Sequence, residues 1–153
     1  MAFSPVFVSD LPFDLDEKVV SAIAREMAET APETQRGTVN VAFVDDETMR
    51  TYNRTYREKD STTDVLSFHY HDDFADCDED EIAGEVILSE SRIREQAPEY
   101  GNTPELETYK LLIHSLAHLL GYDHETDEEY AAMKEVEDAV NAKISKEFGI
   151  RIG

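Results

Sequence analysis

Residues 103–121 read TPELETYKLLIHSLAHLLG. Thr103 can cap a helix, and Pro104 suits its first position, where a backbone N–H would have no intrahelical partner anyway. After Tyr109 the segment is apolar on almost every side, which a surface helix would not be. The helix is therefore expected to be central and buried. Gly121 is the expected stop, since glycine readily takes the left-handed conformation that ends a helix.

A buried helix needs other elements around it, and the flanking sequence supplies them. "SPVFVSD" (4–10), "TVNVAFV" (38–44), "DVLSFHY" (64–70) and "EVILS" (85–89) are rich in strand formers. The last two are separated by "HDDFADCDEDEIAG" (71–84), which has no core-like pattern and reads as an exposed connection between strands. Asp14, with Glu17 three residues on, can cap a helix whose stripe is Val19, Val20, Ile23 and Met27. "DDETMRTYNRTYR" (45–57) reads as a second helix and "SESRIREQAPEYG" (89–101) as a short third, ending by Pro98 or Gly101. The final helix opens with a capping box, Thr126 to Glu129, and presents Met133, Val136, Val140 and Ile144 before Lys146 and Gly149 close it. The expected fold is an α+β single domain over residues 1–153, with one mixed four-stranded sheet and about five helices. Strand order is not legible in these patterns.

At 153 residues the chain can bury a core without a stabilising metal or disulfide, and its single cysteine, Cys77, excludes an intramolecular bridge. No signal-peptide pattern and no run of membrane-spanning length occurs, so a cytoplasmic location without membrane contact is expected. The formal charge of −21 opposes unspecific attraction to nucleic acid or anionic membrane. A polyanionic substrate would have to meet a local basic patch. Of fourteen Lys and Arg residues, four (Arg50, Arg54, Arg57 and Lys59) fall within ten positions.

Three of the five histidines stand in the array H-x3-H-x2-G-x2-H, formed by His114, His118, Gly121 and His124. Residues four apart on a helix share a face, and a turn at Gly121 can return the chain so that His124 completes a set of three metal ligands. The pair alone has a second reading, as hydrogen-bonded core residues. With His124 added, a shared metal answers the cost of burying imidazoles on an apolar helix. Three imidazoles suit one zinc ion at about 2.0 to 2.1 Å and leave a fourth position open, as in catalytic sites. Nickel or another divalent transition metal is compatible with the same donors. Metzincin proteases share the spacing but place a glutamate base where Ser115 stands. A serine cannot take that proton at neutral pH, so a protease-like hydrolase would need another carboxylate, for instance Glu85.

"NRTYREKDSTTDVLSF" (53–68) sets Arg57 and Lys59 just before a strand, and a guanidinium fork matches a pair of phosphate oxygens. On its own this stretch reads better as a solvated helix end with ion pairs to Glu58 or Asp60. Together with the histidine array it resembles the YbeY family of metal-dependent endoribonucleases. The resemblance rests on Asn53, Tyr56, Arg57, Lys59, Asp60, Thr63, Asp64, Val65, Leu66, Ser67 and Phe68, and on His114, His118, Leu119, Leu120, Gly121, Tyr122, Asp123 and His124. It implies a single-strand-preferring RNA hydrolase acting in 16S rRNA 3′-end maturation and ribosome quality control. Zinc would sit on His114, His118 and His124; Arg57 and Lys59 would bind substrate, and Arg57 and a zinc-activated water would act on the scissile phosphate. Small-subunit ribosomal proteins and an assembly GTPase are the implied partners, with no DNA. The remaining alternative is a non-catalytic ribosome assembly factor in which the metal only fixes the turn at Gly121.

The chain departs from the family pattern at Ser115, Ala117 and His69 and in "GEV" (84–86). Ser115 is expected to add bulk beside the site. Asp123 is a candidate to orient an imidazole, or else a turn residue facing water. "DCDED" (76–80) lacks the glycine and terminal glutamate of a calcium loop, and His69 and His71 read as an exposed pair.

Overall fold

The computed structural model describes residues 4–30, 37–58, 63–69, 82–122 and 125–153. Four strands, β1 (Ser4–Phe7), β2 (Thr38–Val44), β3 (Val65–His69) and β4 (Ile82–Ser89), form one sheet in the order β1-β2-β4-β3. β1, β2 and β4 run parallel, and β3 is an antiparallel edge strand pairing Val65 with Leu88 and His69 with Gly84. Five α-helices accompany it: α1 (Glu17–Ala28), α2 (Asp46–Arg57), α3 (Glu90–Gln96), α4 (Pro104–Leu119) and α5 (Asp127–Phe148). The expected α+β class with a mixed sheet is what the chain forms. The strand-rich run at 85–89 starts earlier than its apolar pattern, at Ile82.

Helix ends follow the capping chemistry with one correction. Asp45, Ser89, Thr103 and Thr126 each accept a backbone N–H at the start of a helix, as their short polar side chains allow. For α1 the cap is Asp16 and not Asp14: the Asp16 carboxylate takes the N–H of Lys18, so Glu17 opens the helix. α3 runs on into a 3-10 turn over Ala97–Tyr100 that stops at Gly101, whose positive φ an L side chain would resist.

Strand alternation sorts the side chains into two layers. Val39, Val41, Val86 and Leu88 join α1, α4 and α5 in the main core, where Ile23, Met27, Leu112, Leu116 and Ile144 are buried. Leu66 and Ile87 face the other way and meet Met49 of α2, with Phe68 and Tyr52 packed against them. α2 and α4 therefore lie on opposite faces of the sheet. Gly84 sets how closely α4 approaches: an added Cβ would come 2.8 Å from the Phe68 carbonyl and 3.3 Å from Leu119. Its missing side chain lets the carboxyl end of α4 settle beside β3.

Candidate functional site

Glu107, Leu111, His114 and His118 recur along α4 at helical spacing and so share one side of it. That side opens on a cleft of about 450 Å3, lined among others by Asp64, Gln96, Glu107, Lys110, His114 and Glu137. The helix is buried as expected, yet its two histidines are only half-buried. His114 lines the cleft, and His118 follows one turn later, beyond its lining residues.

Each imidazole is anchored through Nδ1. In His114 this nitrogen lies 2.5 Å from Glu137 Oε1 on α5. The carboxylate raises the His114 pKa, chiefly through that hydrogen bond; burial opposes the rise, and the charge of Asp64 adds to it. In His118 Nδ1 lies 3.1 Å from the Tyr122 carbonyl, just past the turn at Gly121. A carbonyl oxygen only accepts, so His118 Nδ1 carries the proton and Nε2 is the basic nitrogen.

This donor chemistry fits a metal. Ligating histidines commonly donate their second N–H to a carboxylate or backbone carbonyl, which fixes the tautomer and aims the coordinating nitrogen. His114 and His118 each have such a partner. His124, expected as third ligand, lies outside the described residues, as do Asp123 and Lys59. Among the described residues no group of three or more His, Cys, Asp or Glu side chains is arranged to hold a metal ion.

A chain of amides and carboxylates braces the cleft. Glu107 is fully buried and accepts from Gln96 Nε2 at 2.7 Å and from Asn102 Nδ2 at 2.8 Å, with Lys110 Nζ 3.8 Å away. Gln96 Nε2 also donates to Asp64 Oδ2 at 3.1 Å, so one amide ties the buried carboxylate to the one nearer His114. A buried carboxylate is tolerable when its lone pairs are satisfied in this way.

Arg57 is the last residue of α2 and is exposed, on the sheet face opposite α4. It does not line the cleft. Glu58 then takes a left-handed conformation, φ 58°, and the chain reaches Asp64 at the cleft by way of 59–62, outside the described residues. Glu85, weighed as a base for peptide hydrolysis, pairs with Phe68 and alternates with Val86. It therefore lies on the α2 side of the sheet. Ser115 is completely buried and absent from the cleft lining, so the bulk expected beside the site goes into the core instead. His71, Cys77 and the acidic run at 76–80 lie outside the described residues, and nothing is described of the His69 side chain.

Glu137, Gln96 and Glu107 are absent from the sequence reading of the site. Glu137 shares the capped α5 with the Met133 and Val140 stripe, and no local pattern marks it as facing His114 23 residues earlier. Glu107 stands in the polar first turns of α4 beside Glu105, and no local pattern marks it as the buried one of the two.

Residues 9–145 match the family model described as endoribonuclease YbeY. The chain belongs to the YbeY family. It is 38% identical over 135 residues to a protein named endoribonuclease YbeY from Carboxydothermus hydrogenoformans, covering 88% of this chain and 92% of that one. With the protein of the same name from Clostridioides difficile it shares 43% identity over 109 residues, 70% of this chain and 71% of its relative. The solution structure of TM1509 from Thermotoga maritima superposes with a TM-score of 0.57 at 25% identity, covering 94% of this chain and 93% of that one. This YbeY chain thus carries two braced histidines on α4, of which His114 lines the cleft.

Proposed function

We propose that this chain is a metal-dependent endoribonuclease that prefers single-stranded RNA and acts in 16S rRNA 3′-end maturation and ribosome quality control. Membership of the YbeY family supports the reaction class. The observation that carries the metal dependence is the anchoring of both imidazoles through Nδ1, by Glu137 and by the Tyr122 carbonyl. His114, His118 and His124 would hold one divalent ion, zinc by donor preference, with nickel also suited. Such an ion supplies Lewis-acid stabilisation of charge developing on a phosphodiester.

The protein's own residues do the rest. Arg57 closes α2 on the opposite sheet face, so with Lys59 it would bind and orient the scissile phosphate by reaching past the β3 edge, through charge-assisted hydrogen bonds. Asp64, which is held by Gln96 and lines the cleft together with His114, would accept a proton from the attacking hydroxyl or water. Glu137 and Tyr122 keep the imidazoles in register. No helix among the described residues is long and apolar enough to cross a membrane. The cytoplasm is the proposed site of action. An excess of 35 acidic over 14 basic residues weakens intrinsic RNA affinity, so small-subunit ribosomal proteins and an assembly GTPase are the proposed partners.

The test is incubation of metal-replete protein with a labelled single-stranded RNA and, separately, with immature small subunits, beside an equally purified His118→Ala variant. Cleavage by the parent alone is expected, with Arg57→Ala and Asp64→Asn each strongly impaired. Equal cleavage by parent and His118→Ala, or no cleavage of either substrate, overturns the reading.

A further inference from the structure

We propose that the exposed ring of Tyr56 is a stacking platform for one unpaired base of single-stranded RNA. This rests on the ribonuclease reading above and adds to it the origin of the strand preference. Tyr56 is 62% exposed, more than any other large hydrophobic among the described residues. A tyrosine that served only the core would turn its ring inward.

The ring is nevertheless held. It meets Phe68 edge-on with centroids 5.1 Å apart and stacks on Tyr52 at 5.9 Å with 22° between planes. Tyr52 in turn contacts Phe68 at 6.3 Å, so the three rings close on one another at the margin of the small core beneath α2. Aromatic pairs in these geometries are mutually attractive. Little side-chain freedom remains for a bound base to remove.

The surroundings choose the ligand. Arg50, Arg54 and Arg57 recur at intervals of four and three residues, so they form one exposed flank of α2 beside the aromatic stripe. On a chain of net charge −21 these residues belong to the dense basic stretch of the sequence, and their flank suits a flexible polyanion that also carries planar rings. In a duplex the bases are already stacked and paired, whereas a single strand can turn one out onto an aromatic side chain.

Position joins the platform to the cleft. β3 is the edge of the sheet, with Phe68 turned toward α2 and Val65 toward the main core. A strand laid across that edge places a base on Tyr56 and its backbone past Arg57, and continues toward Asp64 and the α4 cleft.

The experiment uses the full chain stripped of metal, so that nothing is cut, and fluorescence anisotropy with three probes. These are a short single-stranded oligoribonucleotide, the same strand with one abasic position moved along it, and its perfect duplex. Tyr56→Ala is expected to weaken single-strand binding about tenfold, within the range for one stacked base. Duplex binding should not change, and Tyr56→Phe should bind like the parent because the ring face is kept. One abasic position should cost the parent a similar factor and cost Tyr56→Ala nothing further, as expected for two halves of one contact. Equal single-strand affinity of parent and Tyr56→Ala overturns the stacking proposal while leaving the ribonuclease reading intact. Equal weakening toward duplex overturns it too. A parent that binds no single strand overturns the stacking proposal, while cleavage of immature small subunits still decides the ribonuclease reading.

Discussion

At Ser115 the hydroxyl is completely buried, and Oγ has no hydrogen-bond partner among the described residues. A buried donor left unmade costs more than an apolar group in the same place. Ser115→Ala is therefore expected to stabilise the protein by about 1 kcal/mol, read as a higher denaturation midpoint at unchanged slope. A lower midpoint would show that the hydroxyl has a partner after all. Glu137 poses the opposite case, since its carboxylate holds His114 through a short hydrogen bond. On the proposed metal reading, Glu137→Ala should lower zinc affinity by about 10- to 100-fold, the usual effect of losing the partner of a ligating imidazole. Competition against a chromophoric chelator measures it without reference to activity, and unchanged affinity would deny Glu137 that role.

The secondary-structure elements carry two further expectations, both about how the site is aimed. Gly84 admits the carboxyl end of α4, and an added Cβ would lie 2.8 Å from a backbone carbonyl that cannot rotate away. Gly84→Ala should destabilise by about 1 to 3 kcal/mol, the cost of overpacking, and should displace the turn that holds His118. A variant as stable as the parent in urea would mean that α4 shifts at no cost. At the start of α2, hydrogen bonds from Thr48, its hydroxyl first, hold the Asp45 carboxyl below its ordinary value of 3.8. A depressed carboxylate pKa contributes stability above the unfolded value that disappears as pH falls through the folded one. Asparagine keeps the capping oxygen but does not titrate. The melting-temperature advantage of the parent over Asp45→Asn should thus be present at neutral pH and vanish as the pH falls below 3.8. A difference that stays constant through that window would remove the linkage.

Across the whole molecule the acidic excess dominates. A net charge of −21 repels itself, and salt screens that repulsion. The melting temperature should accordingly rise on going from low to physiological ionic strength; a fall would mean that ion pairs such as Arg25 with Glu147 matter more than the net charge. The same imbalance bounds RNA binding. With Arg50, Arg54, Arg57 and Lys59 as phosphate contacts, the plot of log affinity against log salt should have a slope no steeper than about −3 for a single strand. A steeper slope would require basic contacts from elsewhere.

Much of this was legible in residue order because the signals are local. Thr103 with Pro104, Thr126 with Glu129, and Asp45 mark helix starts through bonds that span only a few residues, and the elements lie where those signals put them. Asp16 displaced Asp14 as the cap of α1 because both offer the same oxygen and only the path of the chain selects between them. The histidine array was equally visible, since helical geometry alone aligns His114 with His118. What residue order could not contain is contact between distant segments. Strand order, the Glu137 brace on His114 and the Gln96 bridge from Asp64 to Glu107 exist only once α3, α4, α5 and β3 are packed. The sequence by itself determined which side chains could do chemistry. Tertiary structure decided which of them meet, and that Ser115 faces the core while Tyr56 faces out, because burial belongs to the packed chain and to no residue alone.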